Sequence, residues 1–114
     1  EDCQMIRFVI PAIAALGLAA TVAFTPIDAH AYTVLGNVEC PDVVKEDGNE
    51  SFRLANQFWV LGYISARNYE DDTQVGSGVE DEVIYGMMLA YCKKNPSSDM
   101  DDAAIRVYKI LSNL

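Results

Sequence analysis

Residues 8 to 24 read FVIPAIAALGLAATVAF, apolar or small throughout except for Thr21. Arg7 precedes this run, and TPIDAHAYT follows it, with Pro26 breaking any helix and small residues at Ala29 and Ala31. A basic residue, an apolar run and an Ala-x-Ala site in that order mark a secretory signal peptide, here cleaved after Ala31. The competing reading is a membrane anchor, which needs about 20 apolar residues; this run is shorter and is interrupted by Pro11 and Gly17. Glu1 and Asp2 put acid where a leader carries positive charge, so Met5 is the expected initiator and residues 1–4 lie upstream of it. Taking 31 residues from 114 leaves one small exported domain of 83, residues 32–114. At about this size a single core contributes only about 3–5 kcal/mol, which favours a covalent staple.

Cys92 stands in the stretch YCKKNP, at the end of an apparent helix. A reactive thiol, a metal ligand and half of a disulfide are the candidate roles. Loss of the leader removes Cys3 and leaves Cys40 and Cys92, an even pair. In a small exported domain such a pair favours a disulfide. Closing this loop restricts the unfolded chain by about 4 kcal/mol. Zinc is disfavoured, because His30, the single histidine, leaves with the leader and two cysteines cannot fill a site. The domain keeps fourteen acidic and seven basic residues, a formal charge of −7. Such a surface repels nucleic acid and anionic lipid, so neither is an expected partner, and no membrane contact is expected after cleavage.

Hydrophobic spacing predicts a small all-α domain: three main helices behind an irregular N-terminal arm. The arm, residues 33–50, is broken by Gly36, Pro41 and Gly48 and has room for one helical turn after Cys40. A first helix is expected over residues 51–68, capped by Ser51. Its apolar stripe is read as Phe52, Ala55, Trp59, Gly62 and Ala66, with Phe58, Leu61 and Ser65 beside them and Arg53 and Arg67 off the face. A polar loop follows, YEDDTQVGSGVEDE, and then a helix from about Val79 to Lys94. Ile84, Met87, Met88 and Tyr91 share one side of it, flanked by Val83 and Ala90. Acids in its first turn and Lys93 and Lys94 in its last match the helix dipole, and Asn95-Pro96 ends it. Ser98 is the expected cap of a last helix whose stripe is Met100, Ala104, Val107, Tyr108 and Leu111.

No catalytic constellation emerges, and an enzyme is not expected. Nucleophilic catalysis needs a base beside the nucleophile, yet the mature chain has no histidine and its serines sit in no nucleophile-elbow pattern. Nothing singles out two of the fourteen carboxylates as an acid–base pair. The acidic loop lacks the alternating order of a calcium-binding hand, and VGSGVE has no lysine to make it a phosphate loop. No cofactor is called for. The aromatic helix and Met87-Met88 read as core first, although methionine and aromatic side chains also suit adaptable binding surfaces.

A cysteine near the mature start, the aromatic helix FWVLGYISARN, a polar loop, MMLAYCKKNP and a polar final helix together resemble the HdeA/HdeB family of small periplasmic acid-stress chaperones. The block YCKKNP is similar to HdeB in particular. The resemblance spans about residues 38 to 111. It implies an all-helical fold stapled by Cys40–Cys92, located in the periplasm. It also implies a homodimer at neutral pH that opens in acid and keeps unfolding periplasmic proteins in solution. Near pH 2 the formal charge would swing from about −7 to about +7 or +8 as the carboxylates are neutralised. Glu80, Asp81, Glu82, Asp99, Asp101 and Asp102, in helix first turns, are the expected pH-sensing groups. Phe52, Phe58, Trp59, Leu61, Ile64, Met87 and Met88 are the expected client surface. The alternative is a constitutive periplasmic binding protein, such as an immunity protein that neutralises a secreted toxin at neutral pH through a fixed acidic or aromatic face.

Overall fold

The computed structural model describes residues 32–114. The expected leader, with residues 1–4, Cys3, His30 and the cleavage site at Ala31, lies outside the described residues. Four helices follow the arm: α1 (Cys40–Glu46), α2 (Glu50–Asp71), α3 (Asp81–Lys94) and α4 (Met100–Leu111). Among the described residues there is no strand, only a single antiparallel bridge between Glu39 and Asp99. The domain is all-α as expected, and α1 is a seven-residue helix where one turn had room to form.

Two helix caps fall one or two residues away from those the sequence suggests. Asn49, not Ser51, caps α2, its Oδ1 accepting from the backbone N–H of Ser51 at 3.1 Å and of Phe52 at 3.3 Å. Asp99, not Ser98, caps α4 by accepting from the Asp102 N–H at 2.9 Å. Both corrections have one cause: Asn, Asp and Ser are nearly equal as caps, so neighbouring candidates compete on geometry. The displaced Ser98 hydroxyl donates to Asp102 Oδ2 at 2.7 Å instead. At its other end α2 continues through Asp71, and Asp72 closes it in the left-handed conformation. Asn95 ends α3 with its backbone N–H on the Tyr91 carbonyl, 3.0 Å away.

Cys40 and Cys92 are bonded, with Cα atoms 4.7 Å apart, and both are buried at the centre of the core. Around them pack Val43 of α1, Val60 and Ile64 of α2, Ile84, Tyr85 and Met88 of α3, and a broad face of α4. On α4 all five expected stripe residues are buried, together with Ala103 and Asp101.

The orientation of α2 differs from the expected one. Its buried positions are Asn56, Gln57, Val60 and Ile64, while Phe52, Ala55, Phe58, Gly62, Ser65 and Ala66 are exposed. The buried amides explain the reversal. Asn56 Nδ2 donates to Glu46 Oε2 at 2.7 Å, so a polar residue is satisfied inside. Arg67, expected off the packed face, lies over the Tyr108 ring at 4.2 Å and donates to the Tyr63 hydroxyl at 3.0 Å.

The loop from α2 to α3 is held by the Asn68 side chain. Its Nδ2 donates to the Val75 carbonyl, and its Oδ1 accepts from the Val75 N–H and the Thr73 hydroxyl. Gly76 then passes over the core with φ +82°, where an added Cβ would stand 3.5 Å from both Ile84 Cδ1 and Leu111 Cδ1. Tyr85 ties α3 to the end of α1 by donating to Asp47 Oδ1 at 2.7 Å. Burial first, and then this carboxylate, push the Tyr85 hydroxyl well above its ordinary value. Its contribution to stability is therefore complete at neutral pH and is lost as pH rises past about 10, where the unfolded chain ionises freely. Tyr85→Phe should cost about 1 kcal/mol at pH 7 and flatten the alkaline limb of the stability curve. Chemical denaturation at a series of pH values checks this; an unchanged limb would contradict it.

Candidate functional site

On a straight helix, Ser51, Leu54, Ala55, Phe58, Gly62, Ser65, Ala66 and Tyr69 share one side, because they recur at three- and four-residue intervals. This is the outward side of α2, opposite Val60 and Ile64. It runs for roughly 27 Å at the helical rise and contains no charged residue. Leu54 is 36 % exposed, Phe58 66 % and Tyr69 90 %, with Phe52 at the edge of the strip at 55 %. A Cβ added at Gly62 would meet nothing within 4 Å. No internal contact therefore asks for glycine there, although glycine costs a helix about 1 kcal/mol relative to alanine. The strip is uncharged but mixed, with Ser51 and Ser65 exposed among Leu54, Phe58 and Tyr69; large exposed apolar side chains on one helix side make it the candidate partner surface.

The expected client residues divide between this strip and the interior. Phe52 and Phe58 are on the surface, whereas Trp59, Leu61 and Met87 are half-buried and pack against the core. Ile64 and Met88 belong to the core itself. If α2 is oriented as described, Ile64→Ala should lower stability by about 2–5 kcal/mol, while Phe58→Ala should change it by no more than about 0.5 kcal/mol. Urea unfolding of the two variants checks this, and equal losses would contradict the burial of Val60 and Ile64.

Trp59 links the strip to the arm. Its Nε1 donates to the Leu35 carbonyl at 2.8 Å. Gly36 (φ +70°) lies so close that an added Cβ would stand 3.3 Å from the indole. Tyr63, one turn along, stacks beside Trp59 with centroids 6.0 Å apart.

Beyond Trp59 the arm is fastened to the start of α4. Asn37 Nδ2 donates to Asp99 Oδ2 at 2.9 Å, and Asn37 Oδ1 accepts from the Asp101 N–H at 3.1 Å. Tyr32 donates its hydroxyl to Asp101 Oδ2 at 2.9 Å, and that bond to a carboxylate holds the Tyr32 hydroxyl above its ordinary pKa. Two backbone bonds complete the attachment, Met100 N–H to the Val38 carbonyl and Cys40 N–H to the Ser98 carbonyl, each 2.9 Å. Asn37 and Tyr32 carry no sequence signal for this role, since their partners lie more than sixty residues away.

The six expected pH-sensing carboxylates therefore fall into two groups at two helix starts. Asp99 and Asp101 hold the arm, and Asp102 accepts from Ser98. At the start of α3, Glu82 meets Arg53 at 3.5 Å, while Glu80 and Asp81 are exposed and Glu80 caps without a side-chain bond. Among the described residues no three His, Cys, Asp or Glu side chains are grouped to hold a metal ion, and no helix is long and apolar enough to cross a membrane. Comparison with protein-family models, with curated proteins and with solved structures finds no match for this chain.

Proposed function

We propose that the protein is an exported acid-stress holdase of the HdeA/HdeB kind, cleaved after Ala31 and acting in the periplasm. The observation that carries this reading is a pairing on one domain: an uncharged aromatic strip on α2, and an arm over Trp59 fastened through two carboxylates. At neutral pH the strip is covered by a second copy of the chain. Acid neutralises the carboxylates and leaves each copy strongly positive, so the copies repel and separate. Self-repulsion within each copy then acts on the arm, whose attachment to α4 runs through Asn37–Asp99 and Tyr32–Asp101. The arm then loosens from Asn37 back to Tyr32, and Trp59 joins Phe52 and Phe58 on the open surface. The disulfide limits how far the domain expands, so the exposed surface stays on a compact carrier. Unfolding periplasmic proteins bind this surface and remain in solution; no catalytic step and no cofactor is involved.

A second reading has its own support. Phe58 and Tyr69 are already exposed with the arm in place, which suits a binding or immunity protein that meets a folded partner at neutral pH. The two readings differ in their pH dependence. For the holdase, light scattering of an acid-unfolding client should fall in the presence of the protein at pH 2–3 and not at pH 7. Phe58→Glu should weaken both the neutral dimer, measured by sedimentation, and client protection. Equal protection at both pH values, or none in acid, would overturn the holdase reading, and a one-to-one complex with a folded partner at pH 7 would favour its rival.

A further inference from the structure

On a different face from the α2 strip, α3 and α4 enclose a groove of about 490 Å³, lined by Met87, Tyr91, Val107 and Ile110 with Lys94 and Arg106. Its size lies within the range of small-molecule sites, and its character matches theirs: mostly apolar, with a few charged groups to orient the ligand. The charge is out of keeping with the rest of the surface. Of the seven basic residues described, Lys93 and Lys94 end α3, and Arg106 and Lys109 lie on α4. Lys109 lines the adjoining recess together with Arg106 and Ile110.

Neither Lys94 nor Arg106 is neutralised from within. The ion pairs among the described residues are Arg53–Glu82 and Arg67–Asp71, both elsewhere. Asp102, one turn before Arg106 on α4, accepts from the Ser98 hydroxyl. Tyr91 is tied to Ser98 at 3.2 Å, and Asn95 Nδ2 donates to the Tyr91 carbonyl at 2.8 Å, so this end of the groove is held in shape. An apolar trough between two uncompensated cations, on a molecule that is otherwise acidic, is complementary to one kind of ligand: an apolar body with a single negative head.

We propose that the groove between α3 and α4 is a binding site for a small anionic amphiphile, a free aliphatic or aromatic carboxylate. The apolar part lies along Met87, Tyr91, Val107 and Ile110, and the carboxylate sits between Lys94 and Arg106. The site does not depend on the holdase reading, since it uses none of the α2 strip.

Three ten-carbon probes test it by amide NMR titration of the disulfide-intact protein at pH 7, each below its micelle-forming concentration: decanoate, decanol and decyltrimethylammonium. Decanoate should give saturable shifts centred on Met87, Tyr91, Arg106 and Ile110, with the other two probes weaker. Lys94 and Arg106 are exposed, so the double variant K94E/R106E should keep its melting temperature. It should nevertheless lose affinity for decanoate by roughly tenfold or more and gain affinity for the cationic probe. Ala90→Trp, which fills the groove from an exposed position, should abolish binding. The proposal is overturned if decanoate shows no saturable shifts, if its shifts centre on Phe52 and Phe58, if all three probes bind alike, or if either variant binds decanoate like the parent.

Discussion

The corner at which Cys40 meets Cys92 holds the rest of this molecule in place. The bond joins the first residue of α1 to the last turn of α3 across 52 positions of sequence. Restricting an unfolded loop of that length contributes about 4 kcal/mol, comparable to what a core this small supplies by itself. It also sets where the arm can go. Cys40 donates its backbone N–H to the Ser98 carbonyl, so the residues just before it run antiparallel to those just before α4. Asn37 and Tyr32 reach Asp99 and Asp101 because this corner brings the two segments together. The carboxylate fastening is thus a consequence of the disulfide corner.

Much of the architecture was legible in the residues alone, and the reasons are local. Asn95-Pro96 stops a helix wherever it occurs, Lys93 and Lys94 match a helix end, and the stripe from Met100 to Leu111 has no polar residue competing for the inside beyond Asp101. The pairing of Cys40 with Cys92 followed from counting. The orientation of α2 was not legible, because the usual rule places aromatic residues inside and amides outside. Here Asn56 is satisfied by Glu46, on another helix, and Gln57 is buried beside it with its Oε1 unpartnered. A contact between helices decided the matter, and no spacing within α2 records it. The arm was read only as irregular for the same reason, since its ordering depends on hydrogen bonds to α4.

The reversal of α2 changes what the domain presents to its surroundings. With Val60 and Ile64 inward, Leu54, Phe58 and Tyr69 face out along a side without charge, and Trp59 lies at the margin between strip and arm. The helix thus builds the core with one side and leaves the other exposed. The groove between α3 and α4 is of another kind, lined in part by the cations Lys94 and Arg106. The two proposals, a protein partner on the α2 strip and a small anion in the groove, thus rest on separate faces of one disulfide-tied frame.

The holdase we propose requires acid to release the arm from α4 before it disrupts the disulfide-tied core. Native-state hydrogen exchange at pH 7 and pH 3, corrected for the intrinsic dependence of exchange on pH, tests it most directly. The account predicts early loss of protection at the Trp59 indole and at the Asp101 amide, whose bonds reach Leu35 and Asn37 of the arm. Met88 and Val107, inside the core, should remain protected under the same conditions. Uniform loss across the core and the arm, or an arm as well protected at pH 3 as at pH 7, would contradict it.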